Sequence, residues 1–182
     1  MATVKNIHHS YTVEQYVALE QESELRYEFY RGEVFAMTGG TMQHNLIIQN
    51  MANALRSLRS RGCRVFTENV KLEVAPEEHY VYPDVMLTCH PQDLSDNRLA
   101  RYPSLVIEVL SESTEAHDRG KKLDRYLQMP GLQAYVMISQ KAVVCWLLRA
   151  KRRFLVLPYV GPRRRPFTPG KPGLGDDPFS DV

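Results

Sequence analysis

Two acidic side chains stand where apolar ones are expected: Glu108 inside the run Leu105–Leu110, and Asp84 directly ahead of Val85, Met86 and Leu87. A carboxylate among Leu, Val and Ile loses several kcal/mol of hydration unless a positive charge compensates it. A metal ion is one compensator; an arginine partner, or a place at the strand's end facing water, is another. Asp84 follows Tyr82 and Pro83, and a proline there fits the margin of a strand, which leaves the acid at a rim that substrate can reach. Separated by 24 residues on two neighbouring predicted strands, the two acids can converge on one hard cation through oxygen ligands, a donor set suited to Mg²⁺.

A third group comes from the segment after Glu108. Asp118, Lys122 and Tyr126 recur every four residues and form one stripe of a predicted helix. Lys122 can then lie over the sheet edge that carries the acids, the alternative being an ordinary Asp118–Lys122 surface pair. His44, with Ile48 and Met51 four and seven residues on, falls on the apolar side of its helix. It reads either as a hydrogen-bonded core histidine or as a proton shuttle or phosphate contact. Glu28, Glu33 and Glu68 are further carboxylate candidates, while the other histidines show no metal-ligand spacing.

The elements that must position these groups follow from pattern. Thr12 and Gln15 make a capping box that opens a helix to about Glu22. Tyr27–Met37 is broken by Arg31 and Gly32 and reads as a small hairpin. Thr41 caps a helix from Met42 to about Arg59, whose Ile47, Ile48, Met51, Ala54, Leu55 and Leu58 keep helical spacing, and Gly62 stops it. Arg64–Val74 alternates as one strand and Val81–Cys89 as a second, with Gln92–Arg101 as a loop between that strand and Ser104–Leu110. The run around Glu108 resembles a strand buried on both faces. A helix from about Ala116 to Gln128, ended by Pro130 and Gly131, precedes strands at Ala134–Ser139, Val143–Leu148 and Phe154–Tyr159. Helices packed on a central sheet indicate an α/β sandwich.

With 182 residues the chain has room for one compact domain, expected over residues 1–160, with an irregular Pro/Gly/Arg-rich tail over 161–182. Ordinary proportions of apolar (43%) and charged (24%) residues exclude collagen-like, disordered and coiled-coil classes. No apolar run suits a membrane helix or a signal peptide, so the expectation is a cytoplasmic protein with no membrane partner. Cys63, Cys89 and Cys145 lie far apart with no C-x-x-C pair, and are expected reduced and mostly buried, with no disulfide framework and no structural zinc. Net charge is only +2, but from Arg125 to Lys171 there is no acid at all, so a basic end facing phosphate is one reading and a solvated tail the other.

Taken together, Tyr27–Glu33, the helix start with His44, Tyr82–Val85, Ile107–Ser111 with Ser113 and Thr114, and Asp118–Leu123 with Tyr126 resemble the Uma2 family, formerly DUF820. That family is similar to restriction endonucleases of the PD-(D/E)xK type. The resemblance covers roughly Thr12 to Tyr159. It implies a restriction endonuclease-like α/β/α sandwich with a central mixed sheet, preceded by the N-terminal helix and hairpin. It also implies that Asp84 and Glu108 hold Mg²⁺ or Mn²⁺. The fold's usual lysine would stand two residues after Glu108, where this chain has Leu110. The family looks as though it moves that cation to the following helix, where Lys122 matches and Lys121 is the alternative. Metal-assisted hydrolysis of duplex DNA by a homodimer is the implied activity.

Overall fold

Thr12 accepts a hydrogen bond from the Gln15 amide at 3.3 Å while the Gln15 side chain accepts one from the Thr12 amide at 2.9 Å, and this reciprocal cap starts α1 (Val13–Glu22). We describe a computed structural model that covers residues 10–37, 39–111 and 122–140, together with the backbone of strands 144–149 and 153–158. The face of α1 turned inward carries Tyr16, fully buried and clustered with Phe29 and Tyr80 at ring centroid distances of 5.1 and 5.7 Å. Glu20, one turn on, accepts the Tyr82 hydroxyl at 2.8 Å and pairs with Lys71, so a polar clamp adds to the aromatic contact. Next come β1 (Tyr27–Tyr30) and β2 (Glu33–Ala36), joined through Arg31 and Gly32. Both turn residues have positive φ, 46° and 88°, the pattern of a two-residue hairpin turn whose twist matches its strands.

Thr41 caps α2 (Met42–Leu55), which tightens into a 3-10 segment (Arg56–Arg61) and stops at Gly62 with φ 81°. Beyond it the expected single strand Arg64–Val74 is two strands in different sheets: β3 (Arg64–Thr67) and β4 (Lys71–Ala75). The break falls at Glu68, whose φ of 54° turns the backbone out of the extended region. The expected strand Val81–Cys89 divides in the same way into β5 (His79–Val81) and β6 (Val85–Thr88), because Pro83 has no amide to give a ladder. These two breaks lie side by side, with the Glu68 amide donating to the Asp84 carbonyl at 3.1 Å. The chain therefore crosses twice between sheets at one place, and Asp84 is there.

The segment expected as a loop holds α3 (Pro91–Ser95) and the short β7 (Leu99–Ala100); Pro91 opens the helix where a missing amide costs nothing. β8 (Leu105–Leu110), a helical turn α4 (Leu123–Tyr126) and β9 (Ala134–Ser139) follow, then β10 (Val144–Arg149) and β11 (Arg153–Pro158). Residues 112–121, with Asp118 and Lys121, and the 161–182 tail lie outside the described residues.

One central sheet was expected and two are present. The larger runs β11-β10-β9-β8-β6-β3, with β8 and β9 parallel, and the smaller runs β2-β1-β5-β4-β7. β8 is buried on both faces, as its composition predicted. Val106 and Leu110 pack with Met86, Leu123, Tyr126 and Tyr135, while Ile107 and Val109 pack with Ile48 of α2, Val85 and Ile138. Glu108 thus points into the side that α4 covers.

Cys63 and Cys89 form a disulfide, which corrects the expectation of reduced thiols. They are 26 apart in sequence, but β3 and β6 pair antiparallel with Arg64 opposite Thr88, so one step outward sets the two cysteines face to face. Cys63 is buried and Cys89 exposed. The bond staples β3, the outermost strand of the larger sheet, and a loop of this size is worth about 3 kcal/mol in the chain-entropy account. Cys89→Ser is expected to lower the melting temperature by roughly 5–10 °C, read by thermal denaturation against wild type with and without a dithiol reductant. A melting point that neither change moves would remove the staple's role.

Candidate active site

The register of β6 on β8 sets Val85 opposite Ile107, and one step further brings Asp84 opposite Glu108. Directly opposed residues of antiparallel strands sit on the same face with close side chains. The two acids singled out in the sequence therefore stand at facing positions where β6 begins and β8 ends.

Glu108 is only 4% exposed, and Lys122 compensates it. The Lys122 ammonium lies 3.0 Å from Glu108 Oε1 and 2.9 Å from Glu28 Oε1, itself only 6% exposed. It therefore bridges a carboxylate of the larger sheet and one of the smaller. Tyr126, one turn on, donates its hydroxyl to the same Glu108 oxygen at 2.9 Å. Complete burial, and then the nearby Glu108 charge, hold the Tyr126 phenol well above its ordinary pKa, so it remains a donor. The predicted stripe is real for its described members, since Lys122 and Tyr126 converge on one oxygen.

Asp84 is held from the other side. Its Oδ2 accepts the Val109 amide at 2.6 Å and lies 3.3 Å from His44 Nε2. His44 is brought there by the cap of α2, where Thr41 accepts the His44 amide at 3.1 Å. The hydrogen bond with Asp84 raises the His44 pKa, burial works against it, and the Asp84 and Glu68 charges add to the rise. Gly40 is required beside it, because a Cβ there would come within 2.9 Å of His44 Nδ1. His44 is thus a histidine hydrogen-bonded to the acid, and Glu68 is near enough for its charge to be felt. Glu33 is exposed at the foot of the hairpin and shares none of these contacts; Asp118 lies outside the described residues.

Sequence pattern did not single out Gln140. Its side chain donates to the Leu110 carbonyl at 3.0 Å and accepts from Thr41 at 3.1 Å, tying the start of α2 to the end of β8. The only hint was a polar pair, Ser139 and Gln140, closing an apolar strand.

Among the described residues no group of three or more His, Cys, Asp or Glu side chains is placed to hold a metal unaided. Two carboxylates remain, and Mg²⁺ is commonly held by one or two carboxylates, substrate phosphates and water. Both described side-chain contacts of Asp84 fall on Oδ2, which leaves Oδ1 as the oxygen for a cation. The donor set fits such an ion.

Residues 13–168 match the family model Uma2, described as "Putative restriction endonuclease". The chain belongs to the Uma2 family. Two relatives from Synechocystis sp. are similar to it over 71% of its length: "Uncharacterized protein slr1290", 34% identical over 131 residues and 69% of that protein, and "Uncharacterized protein sll1609", 32% identical over 132 residues and 75% of that protein. A crystal structure of a "putative nuclease belonging to DUF820" from Anabaena variabilis superposes with a TM-score of 0.69, covering 81% of this chain and 84% of that one at 18% identity. This Uma2 chain therefore shares the mixed α/β fold of that structure. Among its described residues no helix is long and apolar enough to cross a membrane.

Proposed function

We propose that this Uma2 chain is a metal-dependent endonuclease that hydrolyses phosphodiester bonds in DNA. The observation that carries the reading is the facing placement of Asp84 and Glu108 set by the register of β6 on β8, with the Lys122 ammonium 3.0 Å from Glu108. The family description and the fold shared with a structure titled a nuclease support it. Asp84 and Glu108 would hold Mg²⁺ or Mn²⁺, which when bound supplies an acidified water and neutralises charge building on the phosphate. Val109 N–H and His44 fix the Asp84 carboxylate; Tyr126 and Lys122 fix that of Glu108. Lys122, oriented in turn by Glu28, keeps a preorganised positive charge beside the place where negative charge develops. Duplex DNA as substrate, action in the cytoplasm and a homodimer whose two-fold axis suits cutting of both strands complete the proposal.

A second reading, a nucleic-acid-binding or regulatory protein without cleavage, is favoured by one observation. Lys122 already bridges Glu28 and Glu108, so a protein cation compensates charge at this point. Titrating Mg²⁺ and Mn²⁺ against supercoiled, linear and single-stranded DNA separates the two. Nicking that requires the ion, stops with chelator and falls at least about 100-fold in Asp84→Asn is expected for the nuclease. Salt-sensitive binding with no cleavage under any divalent ion would establish the second reading instead.

A further inference from the structure

A second cation, Arg125, stands beside Lys122, and among the described residues it has no ion pair. Arg125 follows Lys122 by three residues, so both project from one face of α4. Their partners on β1, Tyr30 and Glu28, are two residues apart and share one face of the strand. The Arg125 guanidinium lies 3.6 Å from the centroid of the Tyr30 ring, a stacking contact. Lys122 is committed to Glu28 and Glu108, and nearby Arg31 to Glu78 at 3.0 Å. Among the described residues no carboxylate pairs with Arg125, and partial burial is what acts on its charge, lowering its pKa. Arg31, exposed Asp124, Arg125 and Gln128 line a cavity of about 240 Å³. A planar guanidinium fixed on an aromatic face is preorganised for a two-pronged grip on an oxyanion.

We propose that Arg125, clamped on Tyr30, binds a backbone phosphate of the nucleic-acid strand whose neighbouring phosphodiester lies at Asp84 and Glu108. The inference rests on the nuclease reading and adds to it the path of the strand. The Arg125 charge anchors the strand without touching the reacting atoms.

The test is fluorescence anisotropy of a labelled duplex in chelator, from about 50 to 200 mM salt, with cleavage in Mg²⁺ measured in parallel. Arg125→Ala is expected to weaken binding about 5-fold or more and to reduce the slope of log affinity against log salt by about 0.9, the value of one phosphate contact. KM should rise with kcat changed less than about 2-fold, as for a group that holds substrate and transition state alike. Arg125→Lys, which keeps the charge and loses the fork, should retain the slope with intermediate affinity; it also guards against a folding defect in the alanine variant. Arg98→Ala, an exposed arginine ahead of the far edge strand β7, should alter neither. Unchanged affinity and slope in both Arg125 variants, with wild type binding normally, would overturn this contact and leave the nuclease reading standing. Displacement of duplex by inorganic phosphate beyond that caused by chloride at equal ionic strength would assign the cavity to free phosphate and overturn it too. If wild type neither binds nor cuts, the nuclease reading itself falls, and this inference with it.

Discussion

Glu108→Gln is expected to lower metal-dependent nicking by at least about 10³-fold while the melting temperature moves by only a few degrees. The amide keeps the shape of the carboxylate, and its oxygen can still accept from Lys122 and Tyr126, which hold Glu108 Oε1 at 3.0 and 2.9 Å. What disappears is one negative charge from a site proposed to hold a divalent ion on two protein carboxylates. An ion supplies several kcal/mol of transition-state stabilisation, and about 4 kcal/mol corresponds to a factor of 10³ in rate. Plasmid nicking rates in Mg²⁺, with Mn²⁺ binding followed by calorimetry, read both halves of the expectation. A variant that cuts as fast as wild type would end the assignment of Glu108 as a metal ligand. The glutamine form is the better choice than alanine, since an alanine at a position 4% exposed also opens a cavity and removes the acceptor that Tyr126 uses.

The largest effect on stability is expected from Lys122→Met. The substitution removes the ammonium that Glu28 and Glu108 share, and breaking a buried pair by deleting one member typically costs about 3–5 kcal/mol. For a chain of this length that is a fall of roughly 10 °C in melting temperature. A divalent ion able to sit between the carboxylates opposes the loss, by about 2.7 kcal/mol at a hundred times its dissociation constant. Thermal melts of wild type and Lys122→Met, with chelator and with Mg²⁺, check both statements. Melting points that coincide in chelator would show that Lys122 does not compensate these acids. Glu28→Gln, which removes an acid and leaves Lys122 its Glu108 partner, should cost less.

Local pattern carried a good part of this. The Thr12 and Thr41 caps, the Arg31-Gly32 turn and the doubly buried strand around Glu108 are written in short stretches of chain, because capping, turn chemistry and periodicity act over a few residues. The convergence of Lys122 and Tyr126 was legible for the same reason: a spacing of four sets two side chains over one spot. Where one strand was read across Glu68, the alternation of Phe66, Val70, Leu72 and Val74 truly reported burial, since all four meet one core cluster. It could not report that the chain changes sheets between them, which depends on a single residue at positive φ and on which strands wait on either side.

Only the tertiary structure decided the partners. Glu28 reaches Lys122 from 94 residues away, a contact made where the start of α4 docks on β1. Cys63 meets Cys89 through the register of β3 on β6. Arg125 finds Tyr30 by the same docking of α4 on β1 that brings Glu28 to Lys122. Periodicity in a sequence states which face of an element leaves water, and a buried charge states that something must answer it. What does so is chosen by strands and helices distant along the chain, and their register is a property of the folded whole.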